Sequence, residues 1–306
     1  MNKIYSFIIF SPNLYIYFNL IAQCCSIIKL CWGVHKMVKR RYVIVATFTI
    51  VLLLVAIIIS VTTKNSSNKN NDTIQVFNSV TKVTSVDELI SGYAKKNDID
   101  ISKYPDSMVE LLKKNDETRD FVLSYPVEKD AKHVIDHSEY KNVKSVPLLM
   151  QWDKRWGYIK YGNDVAGITG CGPTTLSMVA IYVLQNPKYT PDYMLKYSIK
   201  HGYCSPGHGS LWTLISKGGK DLGMNVKELP LNKDAVMSNL KMGKPIVCIM
   251  GPGDFTDGGH YIAMVGTKDG KIKINDCNSK KNSQKLWEFD DIKDQIKNLW
   301  LVDGKI

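Results

Sequence analysis

The sequence predicts an α+β fold in which helices pack on an antiparallel sheet, preceded by a single transmembrane helix. Three features predict this fold. A charge-free apolar run covers residues 42–62, apolar residues at helical spacing recur between residues 86 and 242, and short apolar or alternating runs follow from residue 246. Helices followed by antiparallel strands are the order typical of the α+β class.

The composition fits one well-packed domain with additional segments. The chain has 306 residues, of which 44% are hydrophobic, and a formal net charge of +11. Its basic residues form no block interleaved with aromatic residues, so we expect no nucleic-acid partner. Its 7 cysteines do not have the spacing of a disulfide framework.

The apolar run is long enough to cross a bilayer, since a membrane-spanning helix needs about 20 apolar residues. Lys39, Arg40 and Arg41 precede it directly, so the positive-inside rule places its N-terminal side in the cytoplasm. The run is longer than the roughly 7 to 15 apolar residues of a signal peptide, and no Ala-x-Ala-like cleavage site closes it. The sequence therefore predicts a single-pass protein of the cell membrane with an extracellular C-terminal domain.

Four segments precede that domain. Residues 1–36 are expected to be a non-native extension, because MVKRR from Met37 followed by an apolar run is a complete anchor by itself. Residues 37–63 are the basic cytoplasmic stub and the anchor, and residues 64–85 have the polar composition of a flexible linker. Residues 86–145 are predicted to form a helical arm.

The arm contains two stretches with helical spacing, SVDELISGYAKK and SMVELLKKND. A third stretch, DFVLSYP, ends at Pro126, and the residues after it are polar and charged. Two short helices bury too little apolar surface to be stable alone. We therefore expect the arm to lie against the domain formed by residues 146–306.

In this domain, VPLLMQWDKRWG is predicted to be a strand or loop, and helices follow it. They are expected to begin at Cys171, at Pro191 after the N-cap Thr190, near Ser210 (ending near Leu222) and at Asn232 (ending near Met242). The expected strands are residues 246–250, 260–267, 271–276 and 298–302, the middle two joined as a hairpin across residues 268–270.

Cys171 lies in GITGCGPTTLSM, at the predicted first turn of a helix. A cysteine is nucleophilic as its thiolate, and the unpaired N–H groups and positive dipole end of a helix N-terminus favour that anion. Gly170 and Gly172 are expected to let the backbone turn sharply and a substrate carbonyl approach closely. An inert buried thiol is the alternative for a cysteine taken alone.

A thiolate near neutral pH also needs an imidazole that exchanges the proton and protonates the leaving group. Of the 6 histidines, His260 follows a glycine pair at the start of an apolar strand, where its ring can point into a cleft. Asp276 ends the partner strand, and its carboxylate can fix the imidazole tautomer. Asn275 and Asn278 are alternatives for that task.

Gln151 is the candidate oxyanion donor, since its side-chain amide and the Cys171 N–H would form a hole with two donors. Four motifs thus follow one another over residues 146–278: VPLLMQWDKRWG, GCGPTTLSM, GGHYIAMVG and INDCNS. Together they resemble the papain-like cysteine peptidases of the family 39-like group. These are stand-alone relatives of the double-glycine leader peptidases that process bacteriocins.

The resemblance implies a papain-like cysteine peptidase fold. It implies Cys171 as nucleophile, His260 as general base and acid, Asp276 as orienting residue and Gln151 as oxyanion donor. Cys277 is a departure, because such domains usually carry proline after the ND pair. We expect a peptide or protein substrate and no cofactor.

Three functional hypotheses follow. The first is a membrane-anchored extracytoplasmic cysteine peptidase that acts by acylation of Cys171 and hydrolysis by water. The second is a cell-wall amidase or an acyl transferase that uses the same thiol. The third is a catalytically silent papain-fold binding module, against which the intact set of Cys171, His260 and Asp276 argues.

A cluster of potential metal ligands occurs at His201, Cys204 and His208, whose H-x2-C-x3-H spacing can hold a transition metal. No fourth ligand is evident, so we expect no metal site. The loop SPGHGSLW that contains His208 is expected to border the substrate cleft. Tryptophans 152, 156 and 212 are expected either to line that cleft or to pack in the core.

Overall fold

In the computed structural model of the chain, the structure describes residues 85–207 and 209–304. These residues belong to one unit, Thr84–Ile306. The predicted extension, stub and anchor, together with all of the predicted linker except Ser85, lie outside the described residues. Among the residues that are described, no helix combines the length and the apolar character needed to cross a membrane.

Helices and strands are numbered in chain order. The α-helices of the described residues are α1 (Val86–Lys96), α2 (Asp106–Lys114), α3 (Arg119–Glu128), α4 (Ala166–Thr169), α5 (Cys171–Leu184), α6 (Pro191–Lys200), α7 (Gly219–Asp221), α8 (Lys233–Lys241), α9 (Lys280–Gln284) and α10 (Phe289–Ile292). The strands are β1 (Lys160–Tyr161), β2 (Asp164–Val165), β3 (Cys204–Ser205), β4 (Gly209–Ser210), β5 (Asn225–Glu228), β6 (Ile246–Met250), β7 (His260–Lys268), β8 (Lys271–Asp276), β9 (Leu286–Trp287) and β10 (Ile296–Asp303). A π-helical segment, Leu214–Gly218, leads into α7, and 3-10 turns cover Ile101–Lys103, Asp116–Thr118, His137–Tyr140 and Lys293–Gln295.

The arm is formed by α1, α2 and α3, whose apolar side chains share one cluster. A capping box begins α1: the Ser85 hydroxyl accepts from the Glu88 N–H at 3.1 Å, and the Glu88 carboxylate accepts from the Ser85 N–H at 3.2 Å. The first two helices lie where the spacing predicts them. Helix α3 continues through Pro126 to Glu128, because the buried residues Phe121–Ser124 hold it in the cluster despite the missing proline N–H.

Phe121 joins the arm to the residues that follow. Its ring stacks on the Tyr158 ring with centroids 4.4 Å apart, and the Tyr158 hydroxyl donates to the Phe121 carbonyl at 2.8 Å. The fit is close, since a Cβ added to Gly167 would lie 2.4 Å from the Phe121 ring and one added to Gly157 would lie 2.7 Å from it. The expectation that the arm lies against the domain is confirmed.

Within the described residues, the main sheet has six strands in the order β5-β10-β6-β7-β8-β9, and every neighbouring pair is antiparallel. Strand β6 is buried along its whole length, because its alternate side chains face two separate clusters. One cluster contains the apolar residues of α5, and the other contains Val236 and Leu240 of α8. The predicted class, helices on an antiparallel sheet, is confirmed.

Helix α5 is more deeply buried than a one-sided apolar pattern predicts. Every residue from Gly172 to Ile181 is buried. The helix packs on the sheet and also on α6 and the π-helical segment, whose buried side chains belong to the same cluster. Its N-terminal residue, Cys171, remains only partly buried.

Two further differences from the predicted elements concern short segments. The third helix of the domain begins at Leu214 rather than Ser210, because Gly209 and Ser210 pair with Cys204 and Ser205 as a small ribbon. Strands β5 and β9, at the edges of the main sheet, escape the sequence pattern because they have only 4 and 2 residues. The predicted hairpin forms over Asp269 and Gly270, both with positive φ (52° and 78°).

Candidate active site

Cys171 is the first residue of α5, with Gly170 as its N-cap. Gly170 has a φ of −88°, so no left-handed backbone is needed there. A Cβ at Gly170 would lie 2.6 Å from the Ala166 carbonyl oxygen, and a Cβ at Gly172 would lie 2.5 Å from the Ser210 hydroxyl oxygen. Close packing against the protein itself therefore requires the glycines on either side of Cys171, and Gly170 is the single residue between α4 and α5. The expected close approach of a substrate carbonyl stays a prediction.

The sheet brings His260 and Asp276 together. Ile262 of β7 pairs with Asp276 of β8, which makes His260, two residues earlier, the diagonal neighbour of Asp276. The His260 Nε2 lies 2.7 Å from the Asp276 Oδ1, and both side chains are buried, 7% and 1% exposed. Nδ1 is then the ring nitrogen left to face the thiol of Cys171, whose pKa the neighbouring His260 lowers.

The charges of the three groups support one another. Burial raises the pKa of the Cys171 thiol, but the hydrogen bond and positive charge of His260 outweigh it, aided by the N–H groups of Tyr261 and Gly172, so the net pKa is lowered. Burial lowers the pKa of His260, but the Asp276 carboxylate and the Cys171 sulfur raise it well above its usual value. The arrangement favours a thiolate beside an imidazolium.

The Asp276 carboxylate is held in its charged form. Burial raises its pKa, whereas the contacts with His260, Asn282 and Asn278 lower it, and the net pKa is lowered. The Asn278 N–H donates to Oδ1 at 2.9 Å, and the Asn282 amide donates to Oδ2 at 3.0 Å. The two alternatives to Asp276 make other contacts. The Asn275 amide donates to the Val146 carbonyl at 3.1 Å, and the Asn278 N–H donates to Asp276 rather than contacting His260.

Gln151 lies beside the start of α5, but its amide is occupied by protein groups. The Nε2 donates to the carbonyls of Gly167 at 2.9 Å and Ile168 at 3.3 Å, and the Oε1 accepts from the Cys277 thiol at 3.4 Å. The Cys277 sulfur in turn lies 3.7 Å from the Cys171 carbonyl oxygen. The structure thus brings Gln151 close to the nucleophile through Cys277, and its role as oxyanion donor stays a prediction.

Cys277, the departure from the family pattern, is a buried neutral thiol. Burial, followed by the nearby Cys171 and Asp276, raises its pKa. Its sulfur, the His260 ring and the Asp276 carboxylate place potential metal ligands within 4.8 Å of one another, the one such group in the described residues. Two of these groups, His260 and Asp276, are hydrogen-bonded to each other, and the Cys277 sulfur contacts oxygens of Gln151, Cys171 and Tyr261.

The potential metal ligands His201, Cys204 and His208 are not brought together in the part of the chain that the structure describes. His208 lies outside that part, and the His201 ring packs on the Tyr197 ring with centroids 4.5 Å apart. Burial raises the pKa of the Cys204 thiol, which disfavours the metal-binding thiolate. Within the described residues, no third ligand joins His201 and Cys204.

A cleft of about 560 Å³ opens at Cys171. Its lining includes Ser210, Trp212, Tyr261 and Lys297. Gly207 and Gly209 line it too, which confirms that the loop around His208 borders the cleft.

The three tryptophans have different positions: Trp212 is 47% exposed in the cleft, whereas Trp156 is 1% exposed in the core. Trp152 is not among the cleft-lining residues, and its indole N–H donates to the Asn278 carbonyl at 3.0 Å.

Sequence reasoning misses the supporting residues Ser210, Tyr261 and Asn282. No local pattern marks them, because each reaches the site through pairing or packing that joins distant segments.

The first prediction concerns the titration of Cys171. Because the folded-state pKa of this thiol is lowered, we expect alkylation by iodoacetamide to stay fast as the pH falls below about 8.5, the usual thiol value. The rate should fall only as the pH approaches the lowered pKa of Cys171. In His260→Ala the pKa should rise above the usual thiol value, since the hydrogen bond and charge that oppose burial most strongly are then lost. Rates against pH, followed by peptide mapping, measure both.

His201→Ala is the matched control, because His201 packs on Tyr197 outside the site and should leave the curve unchanged. The buried thiols Cys248 and Cys277 have raised pKa values and should label slowly throughout. A Cys171 that titrates like an ordinary thiol, or a His260→Ala curve identical to the parent, would contradict the charge pair.

A family model and two solved structures are similar to this chain. The model of the Peptidase_C39 like family matches residues 143–306. The peptidase domain of Streptococcus ComA, a bi-functional ABC transporter involved in quorum sensing, is 18% identical over 45% of this chain and 93% of its own length, with a TM-score of 0.35. A C39-like peptidase from Bacillus anthracis is 14% identical over 52% of this chain and 95% of its own length, with a TM-score of 0.34.

The comparison with curated proteins gave no match. The family match alone covers more than half of the chain, and it includes the segments that carry Gln151, Cys171, His260 and Asp276. The chain therefore belongs to the Peptidase_C39 like family.

Proposed function

We propose that the protein is a membrane-anchored extracytoplasmic cysteine peptidase that hydrolyses peptide bonds with Cys171, His260 and Asp276. The observation that carries the proposal is the 2.7 Å hydrogen bond between His260 and Asp276, with the Cys171 thiol beside His260 at the wall of a cleft. A nucleophile, a base and an orienting carboxylate in this order are the parts that thiol hydrolysis needs.

The reaction follows from the positions of the protons. The Cys171 thiolate attacks the scissile carbonyl carbon, and the His260 imidazolium gives its Nδ1 proton to the departing amine, leaving a thioester on Cys171. Neutral His260 then takes a proton from water, which attacks the thioester and releases the acid product and the thiolate. Asp276 stays ionised and holds the ring through Nε2 in both steps.

The shape of the cleft favours an extended peptide as substrate. Gly207, Gly209, Gly251, Gly258 and Gly259 all line it. At these glycines the lining has no Cβ atom, so main-chain N–H and C=O groups are exposed and a ligand backbone can approach closely. This supports a peptide substrate over a compact small molecule.

The second prediction is that Cys171→Ala abolishes cleavage. We expect a loss of at least about 10³-fold in kcat/KM, because the covalent route depends on this sulfur. The assay follows cleavage of a peptide library by mass spectrometry, beside purified peptidoglycan and an added amine acceptor. Cys204→Ala is the control, since its thiol has a raised pKa and should leave turnover unchanged.

The other hypotheses predict different outcomes of this assay. Release from peptidoglycan without cleavage of linear peptides would replace the peptidase by an amidase, and products joined to the amine would indicate a transferase. A reactive Cys171 with no turnover on any substrate would leave a binding module.

The third prediction tests Gln151 as oxyanion donor. To donate to the oxyanion, its Nε2 must release the longer of its two bonds, the one to Ile168. Gln151→Ala should then lower kcat by about 10²- to 10³-fold with little change in KM. Gln185→Ala is the control, because Gln185 caps the far end of α5. An unchanged kcat would give Gln151 a purely structural role.

The fourth prediction concerns the anchor, which we propose to be residues 42–62 on the strength of their charge-free apolar sequence. The full chain should stay with membranes after alkaline extraction, and replacing Leu52, Leu53 and Leu54 by aspartate should release it. A membrane-impermeant amine reagent should label lysines of the C-terminal domain in intact cells. Labelling only after lysis would contradict the extracytoplasmic location.

A further inference from the structure

The arm reaches the loop that follows Asp276. Asn115, between α2 and the 3-10 turn Asp116–Thr118, donates its amide to the Asn278 carbonyl at 2.7 Å. Its Oδ1 accepts from the Glu117 N–H at 3.1 Å, which fixes the turn that presents Glu117. Asn115 and Glu117 lie outside the residues that the family match covers, and neither lines the cleft.

Glu117 caps α9 from outside. Its carboxylate accepts from the N–H groups of Lys280 at 3.0 Å and Lys281 at 3.2 Å, and from the Ser279 hydroxyl at 2.9 Å. The first N–H groups of a helix have no partner within it, and a negative charge near them is stabilising. Glu117 therefore holds a five-residue helix that has little propensity to form alone.

Helix α9 in turn holds Asp276. The Ser283 hydroxyl accepts from the Asp276 N–H at 2.9 Å, and the Asn282 amide donates to the Asp276 carboxylate at 3.0 Å. Both side chains come from α9. A shift of this helix would thus remove the Asn282 donor from the carboxylate that faces His260 and the Ser283 acceptor from the Asp276 N–H.

We propose that Glu117, supported by Asn115, is a positioning residue of the catalytic site: it fixes α9, and α9 fixes the carboxylate that orients and charges His260. The inference rests on the proposed function. It makes the arm a working part of the peptidase rather than a removable inhibitor, and the described residues of the arm agree with this because none of them lines the cleft.

The groups that face Asp276 and Glu117 determine how the pKa of Cys171 should respond when Glu117 is replaced. Asp276 faces His260 and Cys277, and His260 links it to Cys171. Around Glu117, the Lys281 ammonium is paired with Asp116 at 2.6 Å. Loss of the Glu117 carboxylate should loosen α9, raise the pKa of Asp276, reduce the charge on His260 and so raise the pKa of Cys171.

The experiment is the pH dependence of Cys171 alkylation in the full chain, measured for Glu117→Ala and Glu117→Gln. We expect the pKa of Cys171 to rise in Glu117→Ala and kcat/KM to fall by roughly tenfold, mainly through kcat. Glu117→Gln, which keeps an acceptor without the charge, should lie between Glu117→Ala and the parent. Glu110→Ala is the matched control, since the Glu110 carboxylate is 57% exposed on α2 and pairs only with Lys113 among the described residues.

Thermal unfolding accompanies each titration, and Glu117→Gln carries the test if Glu117→Ala does not fold. Folded Glu117 variants with the parent pKa at Cys171 would overturn the inference and leave the proposed function standing. A parent chain whose Cys171 titrates as an ordinary thiol would overturn the proposed function, and this inference with it. A shift in Glu110→Ala equal to that in Glu117→Ala would also overturn the inference, because the effect would then be general to the arm.

Discussion

The ionised carboxylate of Asp276, buried to 1% exposure, is the constraint on which the rest of the site depends. A buried charge is costly unless it is paired and its remaining lone pairs are satisfied. Here the partners come from three places: His260 at the start of β7, the N–H of Asn278 in the loop after β8, and the amide of Asn282 on α9. The geometry of the imidazole is thus set by several elements at once.

Cys171 stands at the end of a helix that is otherwise deeply buried. The body of α5 is packed on every side, but its first residue stays partly exposed at the cleft wall. Helix burial fixes the position of Cys171, while the close contacts at Gly170 and Gly172 leave no room for its neighbours to carry side chains. A rigid helix end and a rigid strand start therefore meet with little freedom to separate, which is what preorganised catalysis requires.

Cys277 and Gln151 form a layer behind the nucleophile. The Cys277 thiol lies against the carbonyl oxygens of Cys171 and Tyr261 and the side-chain oxygen of Gln151, where a proline would offer no donor. With cysteine in this position, the His260 Nε2 and the Asp276 Oδ1 still lie only 2.7 Å apart. The turn after β8 is held by α9 and by the arm.

The sequence by itself determined the fold class, the two arm helices, the long strands and the positions of Cys171, His260 and Asp276 at the ends of their elements. These follow from local patterns: apolar periodicity marks α1, α2 and the strands β6, β7 and β8, and the setting of each reactive residue at an element end is visible along the chain. Only the tertiary structure decided that α3 passes through Pro126, that α5 is buried all round, and that Glu117 reaches α9. Those features depend on contacts between segments far apart in the sequence, whose energies no local pattern records.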